Sequence, residues 1–213
     1  DFKIPLKRLR VVPNGINTDQ FYPLPGIPRE KNRLIVTNSA DIPLKGLYYL
    51  LQAVAALPPE YSLKLVVVGA PKKNGGIEKK IQELNIGHLI KFTGRIDHAE
   101  FVRQYAKASI AVIPSLYEGF GIPAGEAMGC GVPLISTTGG ALPEVVGDAG
   151  ALVTPADSQA MGKAIQNLMD NPDHALRLGQ KGYERIQNQF TWKRAAEKTV
   201  ACYREAIHDH HRF

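Results

Sequence analysis

Two glutamates, Glu118 and Glu126, stand eight positions apart in the glycine-rich segment 114–133. Glycines flank Phe120, so the backbone there can approach a ligand without interference from a Cβ atom. Pro123 suits the first turn of a helix, whose N-terminal N–H groups would face the same place. Because carboxylates accept hydrogen bonds from vicinal hydroxyls, the pair favours a sugar as ligand. The structural alternative is that Glu126 complements the dipole of the helix and that Glu118 is a surface residue.

A candidate cation, Lys45, stands next to Gly46 in the loop that follows the first predicted strand. A lysine beside free backbone N–H groups at the start of a helix can hold a diphosphate, although a solvated lysine is the simpler interpretation. The loop is not G-x-G-x-x-G, and the chain contains no G-x-x-x-x-G-K-[ST]. Both observations argue against a dinucleotide dehydrogenase and a P-loop NTPase.

Hydrolytic and metal chemistry find little support in the sequence. A glycosidase needs two carboxyl groups at a scissile bond, one of them protonated, and no apolar pocket is indicated around either glutamate. There is no G-x-S-x-G elbow, and Cys130 has no histidine near it in sequence. Cys130 and Cys202 predict neither a disulfide framework nor a metal site and favour a reducing cytoplasm. A histidine cluster at 208, 210 and 211 is expected to be a solvated tail, so we predict no metal site.

The charge and the length describe a globular domain that does not bind nucleic acid. The chain has 213 residues, with 26 basic and 20 acidic side chains and a formal net charge of +6. Residues 1–33 carry seven basic and three acidic side chains, so most of the excess lies on an N-terminal arm and not on a basic stripe of the body. No apolar run approaches the ~20 residues of a membrane helix. The chain begins with Asp, so we expect it to be processed or cut from a longer protein.

Alternating short apolar runs and longer amphipathic runs are predicted to position these groups. The predicted strands are 33–37, 63–68, 90–93, 110–114, 132–136 and 151–154. The predicted helices are 46–57, 77–84, 99–108, 123–129, 142–146, 158–170, 172–188 and 192–209. This alternation predicts an α/β fold with a doubly wound parallel sheet of about six strands. Ligands of such sheets bind at the carboxyl ends of the strands, where the candidate loops lie.

The segment from Glu118 to Pro133, E-G-F-G-I-P-A-G-E-A-M-G-C-G-V-P, resembles the E-x₇-E signature of retaining GT-B glycosyltransferases, family 4, also called glycosyl transferases group 1. Weaker matches fall in the family's order over residues 11–205. They are P-N-G at 13–15, F-Y-P at 21–23, K-G at 45–46, F-T-G-R-I at 92–96, G-G-A-L-P-E at 139–144 and F-T-W at 190–192. The resemblance implies a Rossmann-like C-terminal half of a GT-B fold. It divides the chain into a linker (1–29), a nucleotide-sugar-binding domain (30–190) and a crossing helix (191–213).

The resemblance also implies roles for individual residues. Glu126 would hold the ribose hydroxyls, Glu118 the hydroxyls of the transferred sugar, and Lys45 the diphosphate leaving group. The remaining donor-binding positions lie in two loops: Gly119, Phe120, Gly121 and Ile122 at the sugar and phosphate, and Arg95 and Ile96 at the base. Relatives need no metal, and their reaction resembles front-face transfer with retention, in which stabilisation of the leaving group is the main contribution.

Two departures from the family pattern bear on function. Many relatives carry an arginine five positions before the lysine, where this chain has Ala40 followed by Asp41, and either Arg95 or Lys72 could substitute. Family members are about twice this length, with an N-terminal acceptor domain. We therefore expect a donor-binding domain that takes a UDP-, GDP- or ADP-sugar and is inactive alone, in the cytoplasm, with any membrane contact made through the full-length enzyme. The alternatives are half of a GT-B sugar-nucleotide epimerase, or a non-catalytic interaction module.

Overall fold

The computed structural model describes residue 5 and residues 8–37 and 42–210. Within these residues, six strands form one sheet: β1 (Arg33–Thr37), β2 (Lys64–Val68), β3 (Ile90–Phe92), β4 (Ile110–Ile113), β5 (Leu134–Thr137) and β6 (Ala151–Val153). All six correspond to predicted strands. The largest shift is at β5, which begins at Leu134 because the preceding Pro133 has no N–H to donate to a ladder.

Eight α-helices accompany the strands in the described chain: α1 (Leu47–Ala55), α2 (Gly76–Glu83), α3 (His98–Lys107), α4 (Ile122–Gly129), α5 (Leu142–Val146), α6 (Ser158–Asp170), α7 (Pro172–Gln189) and α8 (Trp192–His210). Each corresponds to a predicted helix. Three 3₁₀ turns were not predicted: Pro43–Lys45, Pro59–Tyr61 and Gly87–Leu89. None of the described helices is long and apolar enough to span a bilayer.

The sheet is entirely parallel, with the strand order β3-β2-β1-β4-β5-β6. This order confirms the predicted doubly wound, Rossmann-like α/β fold. The order reverses between β1 and β4, where Leu34 pairs with Ile110 and Ile35 with Ala111. Ligands of such sheets bind outside the carboxyl ends of the strands at this switch point. The loops that follow β1 and β4 therefore frame the expected site.

Both faces of the sheet are covered, which explains why its strands read as continuous apolar runs. One buried cluster holds side chains of α3, α4, α5 and α7, and the other holds side chains of α1, α2 and α6. In β1, Ile35 faces the first cluster and Leu34 and Val36 face the second. The loop after β1 leads to α1 on one face of the sheet, and the loop after β4 leads to α4 on the other face.

The segment before β1 has little regular structure, and it packs against the domain. Ile16 and Phe21 are buried in the cluster that holds α4. The N–H of Ile16 donates to the carbonyl of Phe190 at the end of α7, at 2.6 Å. The basic arm is paired in part, because Arg10 binds the carboxylate of Glu205 on α8.

The last helix, α8, leaves large apolar side chains in solvent. Trp192, Val200, Tyr203 and Ile207 are each exposed. Exposed apolar surface of this kind commonly marks an interface.

Candidate functional site

Lys45 lies in a turn that presses against the loop after β4. It ends the 3₁₀ turn Pro43–Lys45, and the following Gly46 adopts φ +70°. A Cβ atom on Gly46 would lie 1.9 Å from the carbonyl oxygen of Pro114, so only glycine permits this approach. The N–H of Leu116 donates to the carbonyl of Leu44 at 2.8 Å. The β1 and β4 loops therefore touch at the switch point.

This contact brings together the two predicted catalytic residues, which are 73 positions apart in sequence. Nζ of Lys45 lies 2.7 Å from Oε1 of Glu118 in an ion pair. The Glu118 side chain is 11% exposed and that of Lys45 is 34% exposed, so the pair lies at the mouth of the site. Ser115 Oγ donates to the same carboxylate oxygen at 2.7 Å.

The backbone of Glu118 is fixed by the loop that follows β5. Its carbonyl accepts a hydrogen bond of 2.9 Å from Ala141 N–H, and it forms a parallel bridge with Gly140. Gly140 adopts φ +65°, and a Cβ atom there would lie 2.2 Å from the Glu118 carbonyl oxygen. The G-G of the 139–144 motif is thus a packing requirement of the loop that carries Glu118.

The glycines around Phe120 open the N-terminus of α4. Gly121 caps the helix at φ +93°, and a proline occupies the first turn. A Cβ atom on Gly119 would meet nothing within 4 Å, so this backbone is open to an approaching group. Ile122 is exposed, whereas Phe120 packs on Phe190 with ring centroids 6.0 Å apart. N–H groups at a helix start favour an anion, and the adjoining Lys45 has the matching charge.

Glu126 lies about one turn further into α4 and is half-buried. Burial raises the pKa of Glu126 from 4.5 to about 7. Burial also raises the pKa of Tyr105 and of Cys130, and the nearby charge of Glu126 adds to both shifts. Tyr105 on α3 is fully buried. The sequence indicated no apolar pocket around either glutamate, so the burial of Glu126 is a feature that the sequence did not reveal.

Arg95 and Ile96 line a cleft of about 260 Å³ at the ends of β2 and β3. The other lining residues are Val68, Gly69, Gly94, Asp97, His98 and Phe101. Gly94 adopts φ +66°, and its N–H donates to the carbonyl of Gly69 at 2.9 Å. The cleft lies against α3, on the same face of the sheet as α4. Arg95 and Ile96 thus lie at the same carboxyl end of the sheet as the Lys45–Glu118 pair, but in a separate cleft.

Two sequence predictions, on Ala40 and on metals, remain open, and one residue of the site, Ser115, was not predicted. Ala40 and Asp41 lie outside the described residues, so the lost arginine has no structural account. Within the described ranges, no group of three or more His, Cys, Asp or Glu side chains could hold a metal, and metal independence stays a prediction. Sequence reasoning assigned no role to Ser115, although it stands three positions before Glu118, within reach of a local hydrogen bond.

Comparison with known proteins identifies relatives of the chain. Residues 25–185 match the family model described as "Glycosyl transferases group 1". The chain is 43% identical over 210 residues to the MMP alpha-(1->4)-mannosyltransferase of Mycolicibacterium hassiacum, which covers 97% of this chain and 51% of that protein. The chain therefore spans about half the length of this relative.

Solved structures share the fold. Sucrose-phosphate synthase from Thermosynechococcus elongatus matches with a TM-score of 0.81 and 33% identity, over 94% of this chain and 53% of that chain. The C-terminal domain of LpcC, a glycosyl transferase group 1 family protein from Francisella tularensis, matches with a TM-score of 0.71 and 27% identity. That match covers 83% of this chain and 99% of the LpcC chain.

Proposed function

The chain belongs to the glycosyl transferases group 1, and from this premise we propose that it is the donor-binding domain of a retaining hexosyltransferase. The donor would be a nucleotide diphosphate sugar. The observation that carries the proposal is the Lys45–Glu118 ion pair at the switch point of the sheet, beside the open start of α4.

In this proposal the diphosphate lies between Lys45 and the N-terminus of α4. Both are positive, the first by its ammonium group and the second by its N–H groups. The diphosphate would compete with Glu118 for Lys45 and release the carboxylate for the hydroxyls of the sugar. The open backbone at Gly119, Phe120 and Gly121 lets the sugar and phosphate approach.

The nucleoside would extend along the α3–α4 face. Glu126 would accept hydrogen bonds from the ribose hydroxyls. The base would enter the cleft at Arg95 and Ile96, which has a volume of about 260 Å³.

For the chemical step we propose front-face transfer with retention at the anomeric carbon. The C–O bond to the diphosphate breaks as the acceptor hydroxyl attacks from the same side, and the proton of that hydroxyl passes to the departing diphosphate oxygen. The protein lowers the barrier chiefly by stabilising the negative charge that develops on the leaving diphosphate. Lys45 and the α4 N–H groups supply this stabilisation, so the proposal needs no metal ion.

Acceptor binding is assigned to a second domain of the same polypeptide. Support comes from the curated relative, of which this chain covers 51%, and from the uncovered apolar side chains of α8. The domain alone is then expected to bind donor without transfer to a sugar or lipid-linked acceptor. The free cysteines Cys130 and Cys202 favour a reducing compartment, and we assign the enzyme to the cytoplasm on that ground.

Isothermal titration calorimetry of the chain with UDP, GDP and ADP tests donor binding. At least one nucleotide is expected to bind, and Glu126→Ala is expected to abolish the heat of binding. Glu184→Ala is the matched control because Glu184 is an exposed glutamate on α7. Lys45→Ala should weaken the binding of every nucleoside diphosphate but leave the binding of the nucleoside unchanged, since the charge of Lys45 acts on the phosphates.

Absence of binding by every nucleotide diphosphate and its sugar would refute the assignment as a donor domain. Retention is tested on the full-length enzyme by NMR of the anomeric proton in the first product formed. An inverted anomeric centre would refute the retaining mechanism and leave donor binding intact.

A further inference from the structure

Ser115 is a buried hydroxyl that lies against the carboxylate of Glu118. The residue is 2% exposed, and its Oγ donates to Oε1 of Glu118 at 2.7 Å. Lys45 Nζ donates to the same oxygen, also at 2.7 Å. Among the described residues, no hydrogen bond reaches the second oxygen, Oε2. The two donors therefore converge on one oxygen and leave the other for a ligand.

The position of Ser115 is set by the neighbouring strand β5. The Ser115 carbonyl accepts a hydrogen bond from Oγ1 of Thr137, a residue with no exposed surface. Thr137 Oγ1 in turn accepts from the N–H of Gly139 at 3.2 Å. Both ends of the Ser115–Glu118 segment are thus held by the β5 loop, because Glu118 itself is bridged to Gly140.

We propose that Ser115 is a positioning residue for glycosyl transfer, which holds Oε1 of Glu118 so that Oε2 receives the hydroxyls of the transferred sugar. This inference rests on the proposed function. Lys45 cannot do the same work throughout, because its ammonium group is required at the diphosphate when donor binds. Ser115 carries no charge and has no competing ligand, so it stays on the carboxylate with and without donor.

A binding experiment can measure the contribution of the sugar to affinity separately from that of the nucleotide. Calorimetry compares each nucleotide sugar with its matched diphosphate: UDP-glucose with UDP, GDP-mannose with GDP, and ADP-glucose with ADP. The ratio of the two affinities isolates the contribution of the sugar. Ser115→Ala is expected to lower the affinity for the nucleotide sugar relative to its diphosphate about tenfold, because the displaced carboxylate loses one charged hydrogen bond to the sugar, and to change affinity for the diphosphate less than about twofold.

Two further variants distinguish positioning from general stability. Ser115→Thr retains the hydroxyl and should restore the ratio. Ser136→Ala is the matched control, because Ser136 is equally buried on β5 but its Oγ lies 3.4 Å from the Ile113 carbonyl and does not touch Glu118. Thermal unfolding of all variants verifies that each is folded.

A structural readout protects the test from small differences in affinity. In crystal structures with the diphosphate bound, where Lys45 is engaged by the ligand, the Glu118 carboxylate should keep its position in the native chain and leave it in Ser115→Ala. An unchanged Glu118 rotamer, an unchanged affinity ratio, or an equal loss in Ser136→Ala overturns the positioning role. If the native chain binds nucleotide sugar and diphosphate equally, the role is overturned too. A native chain that binds no nucleotide refutes the proposed function instead, which is a distinguishable result.

Discussion

Replacing Glu126 with glutamine is expected to stabilise the folded domain at neutral and alkaline pH. The native carboxyl is half-buried on α4, and burial raises its pKa from 4.5 to about 7. Glutamine keeps the size and hydrogen-bonding capacity of the side chain but never carries the charge that burial disfavours. The residue proposed to bind ribose is thus also a source of instability.

The sign and size of the effect follow from proton linkage. The folded state holds its proton up to about pH 7, whereas the unfolded chain releases it near pH 4.5. Between these values the folded state binds more protons, so the free energy of unfolding falls as the pH rises. The full shift corresponds to about 3 kcal/mol above pH 7 and to less than about 1 kcal/mol at pH 5.

Urea unfolding of the native chain and Glu126→Gln at pH 5 and pH 8 measures this difference directly. The variant should be more stable by about 3 kcal/mol at pH 8, with most of the advantage lost at pH 5. Glu184→Gln, a substitution of an exposed glutamate on α7, is the control and should show no such pH dependence. Equal stabilities of the Glu126 variant and the native chain at both pH values would refute the burial argument.

Two further predictions concern the scaffold of the site. Arg29 donates to the carbonyls of Ala108 at 2.8 Å and Gly131 at 2.7 Å, beyond the ends of α3 and α4, so Arg29→Ala should lower the free energy of unfolding by about 3 kcal/mol. Arg29→Lys should not restore it, because an ammonium group lacks the planar fork; full restoration in urea unfolding would contradict this reasoning. Gly140→Ala should lower the free energy of unfolding by more than about 2 kcal/mol in the same assay. The reasons are the positive φ of Gly140 and the clash of a new Cβ atom with the Glu118 carbonyl oxygen at 2.2 Å. Gly26→Ala, where the new Cβ atom meets nothing within 4 Å, is its control, and equal stabilities of the two variants would contradict the steric argument.

The fold was predictable because the sequence pattern of a doubly wound sheet is strong. Strands buried on both faces are continuous apolar runs, and each was bounded by turn residues. The errors lie at element ends and in short turns. The turn Pro43–Lys45 escaped prediction because three residues are too few to show periodicity, yet it places Lys45.

The site was predictable as a set of loops but not as a set of contacts. Glycine spacing and the switch-point rule indicated where Lys45 and Glu118 would lie. The 2.7 Å ion pair between them depends on Gly46 packing against Pro114, a contact between remote segments. The raised pKa of Glu126 likewise depends on burial of its carboxyl in the folded domain. No pattern within one segment encodes either contact.

The ion pair has a consequence for how donor would be recognised. A lysine paired to a carboxylate at 2.7 Å already has a favourable partner, so a ligand that offers only phosphate gains the difference between two interactions. A ligand that offers both a diphosphate to Lys45 and hydroxyls to Glu118 compensates both halves of the broken pair. In the proposed function the pair would therefore favour an intact nucleotide sugar over its diphosphate, provided that Glu118 stays in place when Lys45 leaves. In the proposed positioning role Ser115 meets this condition, so the ratio of the two affinities, rather than either affinity alone, is the quantity that tests it.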